Sequence, residues 1–190
     1  CCAITGGALT RRTNPTLIIA SLSLAGTLAA LQQTLVVPQL PVIPGILNVS
    51  IDDAAWLVTI TLLSAAIATP ILSRLADMYG KKRLFLLTLA LMMAGSVLAA
   101  AGGLNYWPVL VGRALQGLAG ASIPIGISIM RDELPPSRLP GAIAIMSATM
   151  GVGAGLGLPL SGVLYDAFGW YSLFLVTAVW TAVVIVAVAV

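Results

Sequence analysis

One arginine lies deep inside a long apolar stretch of the chain, where few charged residues occur. Arg113 sits several residues into the segment WPVLVGRALQGLAGA, and Gln116 follows about one helical turn later. A cation near the middle of a bilayer costs about 2.5–3.5 kcal/mol on insertion scales, so it is rarely kept there without a role. The spacing predicts that both side chains face one cavity. Arg113 there either binds anionic groups or governs a neighbouring proton site through its field. The alternative is that it snorkels, or pairs with backbone carbonyls to hold helices together.

A second polar cluster interrupts the first apolar segment and consists of Gln32, Gln33 and Thr34. These side chains either line the path of a substrate or form hydrogen bonds between helices, which contribute about 0.6–2 kcal/mol each in membranes. Both interpretations remain open from the sequence. The two clusters together suggest polar contacts inside an apolar bundle.

Other kinds of chemistry have little support in the sequence. The chain has no histidine, and its two cysteines, Cys1 and Cys2, are adjacent, which is not the spacing of a metal or redox motif. There is no G-x-S-x-G motif and no pair of acids within an apolar segment, so an intramembrane enzyme lacks its catalytic groups. We therefore expect no enzymatic activity, no metal site and no cofactor.

The composition indicates what positions the polar clusters. Hydrophobic residues make up 59% of the chain and charged residues only 8%, whereas a soluble domain has about 25% charged residues. A helix that crosses a bilayer needs about 20 mostly apolar residues. Six segments qualify, at residues 15–37, 54–72, 84–103, 107–130, 140–164 and 171–190. The sequence predicts an all-α membrane protein with six transmembrane helices.

The charged residues divide between the two sides that this topology creates. One side takes eight cations, namely Arg11, Arg12, Arg74, Lys81, Lys82, Arg83, Arg131 and Arg138. The other side has no Lys or Arg and carries Asp52, Asp53 and Asp166. Basic loops stay on the cytoplasmic side, so we expect residues 1–14 to be a cytoplasmic segment and residues 15–190 to form the bundle. The cations follow topology and form no basic domain, so we expect no nucleic-acid partner.

A short pattern occurs twice, and its two copies differ in charge. LADMYGKKRLFL at residues 75–86 is matched by LYDAFGWYSLFL at residues 164–175, where aromatic and hydroxyl side chains replace the cations. The copies are three predicted spans apart, an odd number, so they lie on opposite faces of the membrane. Three-helix units of inverted topology are a known construction of secondary transporters. We expect two inverted three-helix repeats, with chance similarity as the alternative.

Several segments resemble one transporter family in their order along the chain. SRLADMYGKKRLF at residues 73–85 resembles the loop signature of the major facilitator superfamily, and LVGRALQGLAGA at residues 110–121 resembles its fourth-helix motif. LQQTLVVPQLP at residues 31–41 and WLVTITLL at residues 56–63 are similar to the first two helices of its drug–proton antiporters with fourteen spans. The resemblance implies the N-terminal six-helix bundle of that fold. We expect the chain to be a fragment that lacks the C-terminal bundle.

The resemblance also implies roles for three groups of residues. The family's fourth-helix motif implies a part in proton coupling for Arg113. The loop signature implies a cytoplasmic gate, to which we assign Asp77, Gly80, Lys81, Lys82, Arg83, Asp132 and Glu133. A loose version of the antiporters' glycine-proline motif, GVGAGLGLPLSG, implies a bendable fifth helix through Gly151, Gly155, Gly157 and Pro159. The structural alternatives are that the cations only determine the orientation of the helices in the membrane and that the small residues only allow close helix packing.

One departure from the family bears on function. Antiporters of this type usually carry an acid in the first helix, at the position that Gln32 occupies here. The sequence nevertheless favours a proton-coupled exporter of drug-like or lipophilic molecules. It would work by alternating access in the bacterial cytoplasmic membrane, with a small-molecule substrate, protons, lipid, and a second half or second copy as partners. The alternatives are a uniporter or symporter of the same fold, and a membrane scaffold or sensor that does not transport.

Overall fold

The computed structural model describes residues 15–189, which are almost entirely helical and contain no strand. The helices are α1 (Pro15–Val36), α2 (Ile43–Leu47), α3 (Ile51–Tyr79), α4 (Lys81–Ala101), α5 (Tyr106–Leu118), α6 (Ser122–Glu133), α7 (Leu139–Phe168) and α8 (Ser172–Ala189). The predicted all-α fold is confirmed. The predicted cytoplasmic segment 1–14, with its two arginines, lies outside the described residues.

Five helical rods are long and apolar enough to cross a membrane: α1 with its 3₁₀ extension, α3, α4, α5 joined to α6, and α7. The sixth predicted span corresponds to α8, which is apolar but shorter. The count of six spans therefore stays a prediction. The short helix α2 was not predicted, and it lies in the loop between the first two spans.

Helix α3 is longer at both ends than its apolar run, which suggested residues 54–72. At its start the Ser50 hydroxyl accepts a hydrogen bond from the Asp53 backbone N–H at 3.1 Å, and Asp52 and Asp53 occupy the first turn. Such a cap satisfies an otherwise free N–H group, and the acids interact favourably with the helix dipole. At its end the helix continues through polar residues until Gly80 stops it.

The fourth predicted span is two helices rather than one. Between α5 and α6 the chain forms a 3₁₀ turn over Ala119–Ala121. Pro124 explains the break, because proline has no N–H to donate to the carbonyl of Gly120 one turn earlier. Such a local tightening bends the rod without ending it.

The helices pack in a pattern that repeats between the two halves of the chain. The second rod of the first half, α3, packs against α5, the first rod of the second half. The second rod of the second half, α7, packs against α1, the first rod of the first half. The third rods, α4 and α8, pack against each other. This reciprocal arrangement is what two inverted three-helix repeats produce.

The two copies of the repeated pattern make the same turn. Gly80 has φ 103° and Gly169 has φ 82°, and each donates its N–H to the carbonyl four residues earlier, in Ala76 and Tyr165. A positive φ is strained for residues with a Cβ, which explains why glycine occupies both positions. The backbone turn is thus shared, while only the copy after α3 carries cations.

The core is divided into a cluster near each end of the bundle. One cluster lies toward the Gly80 turn and includes Phe85, Leu89, Met92, Ile125 and Met130. The other lies toward the Gly169 turn and includes Leu35, Leu57, Val109, Trp170 and Phe174. We call these the basic end and the aromatic end of the bundle. The polar residues predicted to carry function lie between the two clusters and at the basic end.

Candidate functional site

Arg113 projects from α5 into the interior of the bundle, where only 1% of its surface is exposed. Its Nη1 donates a hydrogen bond to Oε1 of Gln116 at 2.8 Å, and its Nε donates to the backbone carbonyl of Leu57 on α3 at 3.4 Å. Arg113 and Gln116 therefore lie on one face of α5, where their spacing places them. The contact with α3 shows that the guanidinium also joins two helices.

The other terminal nitrogen of the guanidinium makes no hydrogen bond within the described residues. Arg113 Nη2 is buried and has no hydrogen-bond partner among the described residues. A buried donor without an acceptor costs about 1–3 kcal/mol, and more when it is charged. Arg113 and Gln116 also line a narrow cleft between α1, α5 and α8, together with Gln32, Leu35, Val36, Leu173, Phe174 and Thr177. No acid is among these lining residues.

The three polar residues of the first helix, Gln32, Gln33 and Thr34, have different surroundings in the structure. Gln32 is buried, and its Nε2 donates to Oε1 of Gln116 at 3.2 Å, so it joins the arginine site. Thr34 is half-buried and donates to the carbonyl of Leu31 in its own helix at 3.1 Å. Gln33 is half-buried, and within the described part of the chain its side chain makes no hydrogen bond. Only Gln32 belongs to the buried network.

Two hydroxyls complete the network and were not predicted from the sequence. Gln116 Nε2 donates to Ser96 Oγ on α4 at 2.8 Å, and Thr177 Oγ1 on α8 lies 3.2 Å from the same oxygen. The network therefore connects α1, α4, α5 and α8. The sequence signal was weak, because single hydroxyls are common in apolar helices and usually bond to their own backbone.

The predicted gate residues lie at the basic end, where one lysine joins three helix ends. Lys81 Nζ at the start of α4 is 2.6 Å from Oδ2 of Asp132 on α6 and 3.8 Å from Oδ1 of Asp77 on α3. The acidic side chains are 55% and 67% exposed, respectively. Lys82, Arg83 and Glu133 are exposed and form no ion pair with any other described residue.

A cavity of about 1020 Å³ opens beside this ion-pair cluster. Its walls come from the basic ends of α1 and α8, and its rim includes Asp77, Lys81, Asp132 and Glu133. It is separated from the arginine site by the core cluster of the basic end. The charged and the buried polar groups therefore form two distinct sites.

The glycines of α7 fall on two faces. Gly153 and Gly157 are buried against α1, and a Cβ at Gly157 would collide with the side chain of Thr34. Gly151 and Gly155 face open space, and Pro159 is exposed. The helix continues through Pro159 from Leu139 to Phe168. Close packing thus explains Gly157 but leaves the outward-facing glycines without a contact within the described bundle.

Comparisons with known proteins agree with this architecture. A family model described as the Major Facilitator Superfamily matches residues 22–190. The chain is 33% identical over 167 residues to the uncharacterized MFS-type transporter YvkA of Bacillus subtilis. The matched region covers 87% of this chain and 37% of that protein. It is also 33% identical over 157 residues to the probable multidrug resistance protein EmrY of Escherichia coli, with 82% of this chain and 30% of that protein covered.

A solved structure shows the same fold. The POT family transporter PepTSo superposes with a TM-score of 0.74 at 18% identity, over 92% of this chain and 36% of that one. The chain thus spans about a third of the length of the relatives it matches. Its apolar helices and its relatives make it a multi-pass integral membrane protein. The chain belongs to the Major Facilitator Superfamily.

Proposed function

We propose that this chain is the N-terminal bundle of a proton-coupled exporter of drug-like or lipophilic small molecules. It works by alternating access in a bacterial cytoplasmic membrane, with its basic end in the cytoplasm. The observation that carries the proposal is the buried Arg113, whose Nη2 has no acceptor within the described bundle. The similarity to a probable multidrug resistance protein supports the class of substrate.

The free donor suggests how protonation is coupled to conformation. An ionised carboxylate is a strong acceptor for a guanidinium, and a protonated one is weaker. If one state of the transporter brings an acid close to Arg113, loss of a proton favours that state, since a ligand shifts an equilibrium only by binding the two states differently. All six acids of this chain lie at helix ends or in loops. The coupling acid therefore comes from outside these 190 residues.

The basic end serves as the gate in this proposal. The ion pairs of Lys81 with Asp77 and Asp132 hold the ends of α3, α4 and α6 together. We infer that they stabilise the outward-facing state, with Gly80 shaping the turn and Lys82, Arg83 and Glu133 available to a partner bundle. The exposed Gly151 and Gly155 and the nearby Pro159 are available to a partner on the other side of α7. That partner is the second half of the same transporter or a second copy.

A second candidate is a uniporter or symporter of the same fold, and one observation favours it. The first-helix position that carries an acid in similar antiporters is the neutral Gln32, which donates to Gln116 at 3.2 Å. A neutral amide cannot exchange a proton at physiological pH. A pH gradient therefore drives the substrate against the proton flow in the exporter, with the proton flow in a proton symporter, and in neither direction in a uniporter.

The test uses the native polypeptide that contains this sequence, reconstituted in liposomes. Ethidium is a suitable probe because its permanent charge prevents passive partition with pH. An acidic lumen is expected to drive ethidium accumulation above the outside concentration, and nigericin in K⁺ buffer is expected to abolish it. Equilibration that ignores the pH gradient would favour the uniporter, and absence of any protein-dependent flux would favour a scaffold or sensor.

A further inference from the structure

We propose that Ser96 is a positioning residue that fixes the orientation of the Gln116 amide and thereby directs Arg113. Its effect on transport rests on the function proposed above, whereas the contact itself can be tested without transport. Ser96 lies on α4, is fully buried, and accepts from Gln116 Nε2 at 2.8 Å. No motif in the sequence marks it.

Two glycines bring this serine within reach of Gln116. A Cβ built on Gly112 would lie 2.6 Å from the carbonyl oxygen of Gly95, far inside van der Waals contact. The backbones of α4 and α5 therefore touch at this level, as small residues allow between membrane helices. The side chains next to this contact, Ser96 and Gln116, are consequently close enough to bond directly.

The serine can only accept from Gln116, because its single proton is already used. Ser96 Oγ donates to the carbonyl of Met92 in its own helix at 2.9 Å, and a hydroxyl has one proton and two lone pairs. Thr177 Oγ1 lies 3.2 Å from the same oxygen, but its own single proton goes to the Phe174 carbonyl at 2.8 Å. The amide of Gln116 must therefore turn its NH₂ group toward Ser96.

The opposite side of the amide faces Arg113, which can only donate, and the NH₂ group of Gln32. Oε1 of Gln116 accepts from Arg113 Nη1 at 2.8 Å and from Gln32 Nε2 at 3.2 Å, which occupies both of its lone pairs. A flipped amide would place NH₂ against these donors and an oxygen against an oxygen without a proton. Ser96 and Arg113 thus specify the same orientation.

This arrangement controls where the arginine is unsatisfied. With Gln116 fixed, Nη1 has its acceptor, and Nη2 is the nitrogen left without one in a residue that lines the cleft between α1, α5 and α8. Without Ser96 the Gln116 NH₂ group loses its acceptor, and the amide is held only through its oxygen by Arg113 and Gln32, so it is less firmly fixed. The position of the Arg113 guanidinium, on which the proposed proton coupling depends, is then less well fixed, although the substrate path is unchanged.

The contact is tested by thermal unfolding of the native polypeptide in a double-mutant cycle. S96A should lower Tm when residue 116 is Gln, because the amide NH₂ loses its acceptor. The same change in a Q116M background should have almost no effect, since Met has no amide to orient. The matched control is T88V, which removes a buried hydroxyl on α4 that bonds only to its own helix, at the Phe85 carbonyl. Equal losses from S96A in both backgrounds would mean that Ser96 only packs, and would overturn the proposal.

The positioning role is tested by comparing two modes of transport in the same liposomes. We expect S96A to slow uptake of ethidium driven by a pH gradient by about fivefold to tenfold, the size of effect of an unsatisfied buried donor. Exchange of labelled ethidium without a gradient should remain near the wild-type rate, and T88V should match wild type in both modes. Equal loss in both modes, or no loss in either, would contradict the role. A wild-type protein that ignores the gradient would refute the proposed coupling, and the unfolding cycle would still decide the contact.

Discussion

At the residue scale, burial of Arg113 is offset by acceptors on two helices, the Gln116 side chain on α5 and the Leu57 carbonyl on α3. Hydrogen bonds between membrane helices contribute only about 0.6 kcal/mol each on average, less than the insertion cost of an arginine of about 2.5–3.5 kcal/mol. The remaining cost and the unpartnered Nη2 support the proposal that Arg113 is retained for function. Its role depends on which acceptor that nitrogen meets in another state.

The pairing of Arg113 with Gln116 followed from their spacing, because residues three apart lie on the same face of a helix. The participation of Gln32 and Ser96 did not follow, since a sequence does not give the rotation of one helix relative to the next. The division of the first-helix cluster has the same cause. Adjacent positions Gln32, Gln33 and Thr34 point in different directions around α1, and only one of them faces α5.

Asp77 offers a prediction at this scale, because the inverted repeat supplies a matched control. Asp77→Asn weakens the contact with Lys81 but leaves the shorter bond to Asp132. We expect turnover to fall about two- to fivefold, as an exposed pair contributes about 0.2–1 kcal/mol, with substrate affinity unchanged. Asp166→Asn, at the matching position of the second copy, should change neither quantity. Wild-type turnover in Asp77→Asn, measured as ethidium flux at saturating concentration, would remove the gating role.

At the scale of the elements, α7 has two faces that contain glycines, and only one of them packs against another helix of the described bundle. The face with Gly153 and Gly157 allows α1 to approach, and it is reinforced at the aromatic end by Ser161, whose hydroxyl donates to the carbonyl of Leu35 at 2.6 Å. The face with Gly151 and Gly155 has no neighbour within the described bundle. The sequence predicted a small-residue helix correctly, but composition alone could not divide its glycines between packing and an outer surface.

Two alanine substitutions separate these faces. Gly157→Ala should destabilise the protein by about 1–3 kcal/mol, the usual cost of overpacking, because its Cβ would collide with Thr34. Gly155→Ala adds a methyl group where the described bundle leaves open space, so it should be less destabilising than Gly157→Ala, since alanine favours a helix by about 0.8–1 kcal/mol over glycine. Thermal unfolding in detergent measures both. Two shifts of the same sign and size would show that the seam between α1 and α7 is looser than described.

Helix ends were less predictable than helix existence. The apolar runs located every long rod, because about 20 apolar residues are a strong signal. The extension of α3 depends on the Ser50 cap and on Gly80, and the break between α5 and α6 depends on Pro124. These are single-residue effects of hydrogen bonding, which an average over an apolar window does not capture.

At the scale of the whole molecule, the bundle is a pair of inverted repeats with different ends. The repeats share a turn at Gly80 and Gly169, but only the basic end carries the ion pairs and the large cavity. Between the ends, the Arg113 network, counted with the contact to Leu57, joins the five helices α1, α3, α4, α5 and α8. These links between helices agree with the proposal that the bundle moves as one unit against a partner.

The most direct test of the account is ethidium accumulation driven by a pH gradient in liposomes that contain the native polypeptide with Arg113→Ala. The control is Arg131→Ala, which removes an exposed cation at the basic end. At equal protein in the membrane, we expect Arg113→Ala to abolish accumulation above the outside concentration and Arg131→Ala to retain it. Accumulation by Arg113→Ala at the level of the control would contradict the central claim that the buried guanidinium couples protons to transport.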